Sequence, residues 1–104
     1  MKKFEWTERQ KRALRGSIKK WEKIVDGTGV DNGRWNCSCC IAFDKYGHLM
    51  CEGCPISIFT GTTECRNTPY AEYVRRFYKG LPVIPSAKKE LSFIKKVYKA
   101  GGGT

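Results

Sequence analysis

The sequence predicts a small α-rich, metal-stabilised domain, α+β in class through one short β-hairpin, with three helices packed around a cysteine-rich knuckle. Three observations predict it. Three segments carry apolar residues at helical spacing. Residues 37–54, CSCCIAFDKYGHLMCEGC, hold two Cys-x-x-Cys pairs, Cys37 with Cys40 and Cys51 with Cys54. The 104 residues suit one domain of modest core, a size at which a metal or disulfides often supply missing stability. Hydrophobic residues make up 40% of the chain and charged residues 29%, which fits a globular protein rather than a disordered one. The domain is predicted over residues 1–100, with the closing GGGT at 101–104 as a flexible tail without structural role.

The first helix is predicted from Thr7 to Asp26. Thr7 and Gln10 match a capping box, in which the threonine hydroxyl caps a backbone amide and the glutamine reaches back. Leu14, Ile18, Trp21 and Val25 form one apolar stripe, with Arg12, Arg15, Lys19 and Lys23 mostly off it. Gly27 offers a stop. The loop that follows, GTGVDNGR at 27–34, lacks the G-x-x-x-x-G-K-[ST] pattern and follows a helix rather than a strand, so it reads as a connector and not a phosphate cradle.

Ile41-Ala42-Phe43, a turn at 44–47 ending in Gly47, and His48-Leu49-Met50 read as a short hairpin that would bring Cys40 and Cys51 side by side. Residues 56–63 are apolar at first and then turn. Thr68-Pro69 opens a second helix, with threonine as cap and proline at the first helical position. Tyr70, Tyr73, Val74 and Phe77 are its predicted apolar face, and Gly80 ends it. LPVIP reads as an extended connector. Ser86 is predicted to cap a third helix running to about Lys99, with a stripe of Ala87, Leu91, Ile94 and Tyr98 widened by Phe93 and Val97.

The cysteines suit metal chemistry. A Cys-x-x-Cys turn points two thiolates to one side, and two such turns at the base of a hairpin make a tetrahedral four-thiolate site for Zn2+. A [4Fe-4S] cluster is the alternative, since Cys54-Pro55 matches the ending of ferredoxin-type runs, and Cys40, Cys51, Cys54 and Cys65 would serve. Cys65 lies three residues before Thr68, near the positive end of the second helix, which favours a thiolate there. Cys39 reads as a spare thiol and His48 as a surface residue at a turn. No βαβ pattern supports a thioredoxin-like role, and neither a third orienting residue beside Cys65 and His48 nor a carboxylate pair suggests an enzyme.

The N-terminal MKKFEWTERQKR has basic residues without a following apolar stretch, and no run is long enough to span a bilayer. This predicts a cytoplasmic, reducing location, where six cysteines are ligands. In an oxidising compartment the same cysteines would be read as a disulfide frame.

Three pieces of the chain, Cys37-Ser38-Cys39-Cys40, Cys51-Glu52-Gly53-Cys54-Pro55-Ile56 and Cys65-Arg66-Asn67-Thr68-Pro69-Tyr70, together with Trp21, resemble the pattern of small cysteine-rich proteins encoded by bacteriophages and related mobile elements. In that pattern the first pair contains a proline, which this chain replaces while gaining Cys39. The resemblance implies five motif cysteines, Cys37, Cys40, Cys51, Cys54 and Cys65, and a bacterial host cytoplasm. It implies no particular activity.

The net charge of +10 is distributed unevenly: +6 over residues 1–24, −2 over 25–33, −1 over 34–65 and +7 over 66–104. The basic residues therefore flank a near-neutral cysteine region. A non-enzymatic nucleic-acid-binding module follows, with phosphate contacts expected from Lys11, Arg12, Arg15, Lys19, Arg75, Arg76 and Lys79. Trp6, Trp35 and the tyrosines are candidates for stacking on bases. Trp21 is expected in the core, and Trp35 beside the metal. A phage-type adaptor binding an acidic host protein would use the same charge, and an iron–sulfur redox protein is the third reading.

Overall fold

Thr7 opens the first helix as its sequence predicts. In the computed structural model, which describes residues 4–32, 36–43, 53–61 and 68–103, its hydroxyl accepts from the Gln10 amide at 3.1 Å and the Gln10 side chain accepts from the Thr7 amide at 2.8 Å. Helix α1 (Glu8–Asp26) ends at Gly27, whose φ of 88° lies in the left-handed region where glycine carries no steric penalty. Its buried line is Ala13, Leu14, Ser17, Trp21 and Ile24. Ile18 and Val25, read from sequence as part of the stripe, lie half-buried at its edge.

Four more helices follow among the described residues: α2 (Ser38–Phe43), α3 (Pro55–Thr60), α4 (Tyr70–Tyr78) and α5 (Ile84–Ala100). No strand occurs among them. The α+β class and the hairpin are therefore corrected to an all-helical arrangement. Ile41-Ala42-Phe43, expected as a strand arm, is the end of α2, and the Ile41 amide donates to the Cys37 carbonyl at 2.9 Å in helical register. Three apolar residues carry no period of their own, so the turn begun at Cys37 decides their conformation. The expected turn at 44–47 and second arm at 48–50 lie outside the described residues. Pro55 similarly starts a helix at its first turn, where its missing N–H costs nothing.

The α4 helix starts at Tyr70, one residue later than predicted, yet Thr68 still does the capping: its hydroxyl accepts from the Tyr70 amide at 3.2 Å. At the other end the Leu81 amide reaches the Arg76 carbonyl at 3.0 Å across Gly80, which closes the helix. The α5 helix starts at Ile84 rather than Ser86. Pro85 sits in its first turn, and Ser86 is buried within it.

α1 packs along α5, α2 docks on α1, and α4 and α3 dock on α5. Leu14, Ile94, Val97 and Cys39 are fully buried in the shared core. Trp6, offered from sequence as a stacking residue, is instead part of that core. Its indole N–H donates to the Val97 carbonyl at 2.7 Å and its amide to the Gly101 carbonyl at 3.0 Å. Gly101 and Gly103, read as a tail without structural role, are buried. A Cβ on Gly101 would stand 2.0 Å from the Trp6 ring, so only glycine fits under the indole.

A second close approach sets the position of α2. A Cβ on Gly16 would lie 2.1 Å from Oγ and 2.8 Å from Cβ of Ser38. Gly16→Ala gains about 1 kcal/mol in helix propensity, yet it should destabilise the fold by about 1 to 3 kcal/mol in urea unfolding, because α2 must move away. Adding Ser38→Gly, which deletes both atoms, should recover most of that loss. Strictly additive effects of the two substitutions would refute the contact.

Candidate functional site

The N-terminal half of α1 holds both cysteine segments. Arg9 donates to the Ala42 carbonyl at the end of α2, with its guanidinium 4.8 Å from the Phe43 ring centroid. Gln10 donates to the Gly53 carbonyl at 3.0 Å, which fixes the approach to Cys54. Ser17 donates to the Cys39 sulfur at 3.6 Å. With α2 and the start of α3 anchored on one helix, thiols from the two segments meet.

Cys37, Cys39, Cys40 and Cys54 are free thiols. Cys39, read from sequence as a spare, is 2% exposed and lies between Cys37 and Cys54. Hydrogen bonds from the Cys39 thiol and then from Cys40 hold the Cys37 thiol far below its ordinary pKa. Bonding to Cys37 and Cys54, together with burial, raises Cys39, which keeps its proton. Cys54 is lowered, first by Cys39, with the amides of Ser57 and Ile56 at the start of α3 adding to the effect. The thiol contacts thus run as a chain from Cys40 through Cys37 and Cys39 to Cys54. Among the described residues no three Cys, His, Asp or Glu donors close around one point as a metal ion requires. Cys51, Cys65, His48 and Trp35 lie outside the described residues.

Beside the thiols sits a buried polar group that sequence reading missed. Lys20 and Asp31 form a 2.8 Å ion pair with side chains only 10% and 11% exposed, and the Tyr70 hydroxyl donates to Asp31 at 2.9 Å. Glu90 of α5 points inward at 3% exposure, and its Oε1 has no hydrogen-bond partner among the described residues. Burial, and then the negative charge at Cys37, raise its pKa to about 7. Its position on the inner side of the α5 stripe was the available signal: Glu90 falls between Ile94 and Val97 on the helical wheel.

The predicted phosphate contacts divide. On α1, Arg12, Arg15 and Lys19 are exposed and Lys11 is half-buried, but Glu8, Glu22 and Asp26 share the same solvent arc. Glu8 lies 3.9 Å from both Lys11 and Arg15, and Arg15 also donates to the Tyr98 hydroxyl at 3.1 Å. On α4, Arg75 pairs with Glu72 at 3.5 Å and Arg76 donates to the Pro82 carbonyl at 2.7 Å, while Lys79 is exposed. The least opposed basic surface was not predicted. With Glu90 turned inward, the solvent face of α5 carries Lys88, Lys89, Lys95, Lys96 and Lys99 around Ser92 and no acid. Lys89 lies 3.8 Å from Glu72, and among the described residues no carboxylate pairs with Lys88, Lys95, Lys96 or Lys99. An open groove of about 390 Å³ runs beside Lys88, Lys89, Ser92, Phe93 and Lys96.

Comparison with protein-family models, with curated proteins and with solved structures finds no match. No helix among the described residues is long and apolar enough to cross a membrane.

Glu90 makes stability depend on pH in a specific direction. Its folded pKa is raised, so between its ordinary 4.5 and about 7 the folded chain holds a proton that the unfolded chain has released. The Glu90 contribution to stability therefore falls as pH rises through that window and levels off above it. Glu90→Gln should remove about 3 kcal/mol of this fall, read as the difference between wild-type and variant unfolding free energies from urea curves across the window. Parallel pH profiles for the two proteins would refute the assignment.

Proposed function

We propose that this is a small basic metal-binding protein, without a reaction of its own, that binds nucleic acid through a helix face. The observation that carries the reading is the lysine face of α5, which bears no acid of its own and meets Glu72 only at Lys89 among the described residues. Five lysines within about a third of a helix circumference form a strip whose charge complements a phosphate backbone. Ion pairs and internal hydrogen bonds already occupy part of the basic set on α1 and α4. Arg12, Lys19 and Lys79 remain placed for additional phosphate contacts.

The metal acts as a clasp. Cys37, Cys40 and Cys54, which do not converge on one point by themselves, would be drawn together as soft thiolates with Cys51 or Cys65, with Zn2+ as the ion and a [4Fe-4S] cluster as the alternative. The support is the gathering of thiols from two segments and the pull of Cys37 and Cys54 toward the thiolate. The bound metal supplies cross-linking of those segments. The core, which buries only small parts of α2 and α3, holds them weakly.

Two experiments test the reading. Protein purified without oxygen should carry one zinc and show no visible absorption, and chelation should abolish the cooperative thermal transition followed by circular dichroism. A brown protein containing iron would select the cluster, and a metal-free protein of unchanged stability would overturn the clasp. In fluorescence anisotropy with a labelled oligonucleotide, about five phosphate contacts to a single strand imply an affinity loss of about 100-fold between about 50 and about 200 mM salt. Reversing two charges with Lys95→Glu and Lys96→Glu should flatten that dependence. Affinity indifferent to salt, or to these substitutions, would remove nucleic acid as the partner of α5.

A further inference from the structure

The aromatic face of α4 is only partly used by the core. Tyr73 is buried against Trp21, with ring centroids 5.0 Å apart and an edge-on angle of 88°. From there a ladder of rings runs outward. Tyr73 and Phe77 are near-parallel at 20° with centroids 6.5 Å apart, and Tyr78 meets Phe77 edge-on at 5.8 Å. Phe77 was expected on the buried face, yet it is 62% exposed and Tyr78 is 83% exposed. A half-enclosed cleft of about 250 Å³ lies between these rings and Asp31 and Asn32 of the loop after α1, with the Asp31 charge met by Lys20 at 2.8 Å. Two large rings held open to solvent beside a concave site offer a surface that suits an occupant flat and apolar on its faces.

Charge identifies the occupant. Helical phase places Arg75 and Lys79 on the exposed arc of α4 between Glu72, which meets Lys89 of α5, and Tyr78 on the cleft side. A mainly basic path therefore leads from the α5 lysines, past Glu72 where it bridges Lys89 and Arg75, over Arg75 and Lys79 to the open rings. We infer that this cleft stacks bases of single-stranded nucleic acid, one on each of the mutually perpendicular rings of Phe77 and Tyr78, with the adjoining phosphates carried over Arg75 and Lys79 to the lysine face of α5. The inference rests on the nucleic-acid reading above and adds its substrate class. A duplex buries its base faces in its own stack and offers only phosphates, whereas a single strand offers both.

The test uses the full chain and three labelled probes of equal length: an oligothymidylate, the same backbone without bases, and a duplex. The wild type should bind oligothymidylate in preference to the abasic strand. Phe77→Ala and Tyr78→Ala should each weaken oligothymidylate binding by about 5- to 150-fold, the range for losing one base–aromatic stack. Affinity for the abasic strand and the salt dependence should stay within about twofold, and Tyr78→Trp should bind at least as tightly as the wild type. Both rings lie on the surface, so the variants should keep the wild-type circular dichroism spectrum. Equal affinity for oligothymidylate and abasic strands, or alanine variants that bind like the wild type, would overturn stacking while leaving phosphate binding by α5 intact. In that event, loss of self-association in the alanine variants by light scattering would reassign the rings to a protein contact. Failure of the wild type to bind any probe would overturn the nucleic-acid reading itself.

Discussion

The arrangement of the thiols depends on how closely α2 comes to α1 at Gly16. The missing Cβ lets Ser38 sit against the α1 backbone, and one residue later Cys39 enters the core beside Ser17. From there the side chains of Arg9 and Gln10 extend the same helix toward the end of α2 and the approach to α3. A helix whose buried face should serve only its long partner α5 therefore serves two surfaces at once. Its inner line packs on α5, and its N-terminal flank is a template for segments too short to hold a conformation alone. Helices of six residues are below the length at which backbone hydrogen bonds offset nucleation, so α2 exists because α1 and the thiol contacts hold it, and α3 because α5, on which it docks, and the thiol contacts hold it.

Much of α1 was legible because its signals are local. The capping box needs only Thr7 and Gln10, and the left-handed stop needs only Gly27. The cysteine region was misread for the opposite reason. Ile41, Ala42 and Phe43 fit a strand arm and a helix end equally well, and the deciding contact, Arg9 with the Ala42 carbonyl, spans 33 residues. Trp6 carried no sequence sign of its role, since its partners stand at the far end of the chain. The lysines of α5 were visible in the sequence, but the apolar stripe drew the reading to the inner face. Their isolation from acids became apparent only with Glu90 placed inside. Cys39 shows the same limit: a residue between two motif positions has no pattern to announce that it joins them.

The molecule separates its charges by depth. Mixed charge covers α1, where carboxylates temper the basic residues, and unmixed positive charge covers α5. Between them lies a buried set, Lys20, Asp31, Tyr70 and Glu90, that ties α1, α4, α5 and the loop after α1 together beside Cys37. A carboxyl that is neutral below about pH 7 lessens the electrostatic cost of gathering thiolates nearby. The same placement leaves the outer surface of α5 without an acid.

Trp6 gives the fold a temporal order. Its hydrogen bonds reach Val97 and Gly101, the first across 91 residues. Ribosomes deliver residues in sequence at about 5 to 20 per second, so the tryptophan is made seconds before the backbone that closes over it. While α1 is already long enough to form, its apolar line has no α5 to lie against. Until α5 is made, Trp6 and Leu14 lack the partner that covers them. A chain that stopped short of residue 97 would carry every cysteine motif and still lack the lid on its first tryptophan, which makes it a substrate for chaperones and proteases rather than a smaller version of the protein.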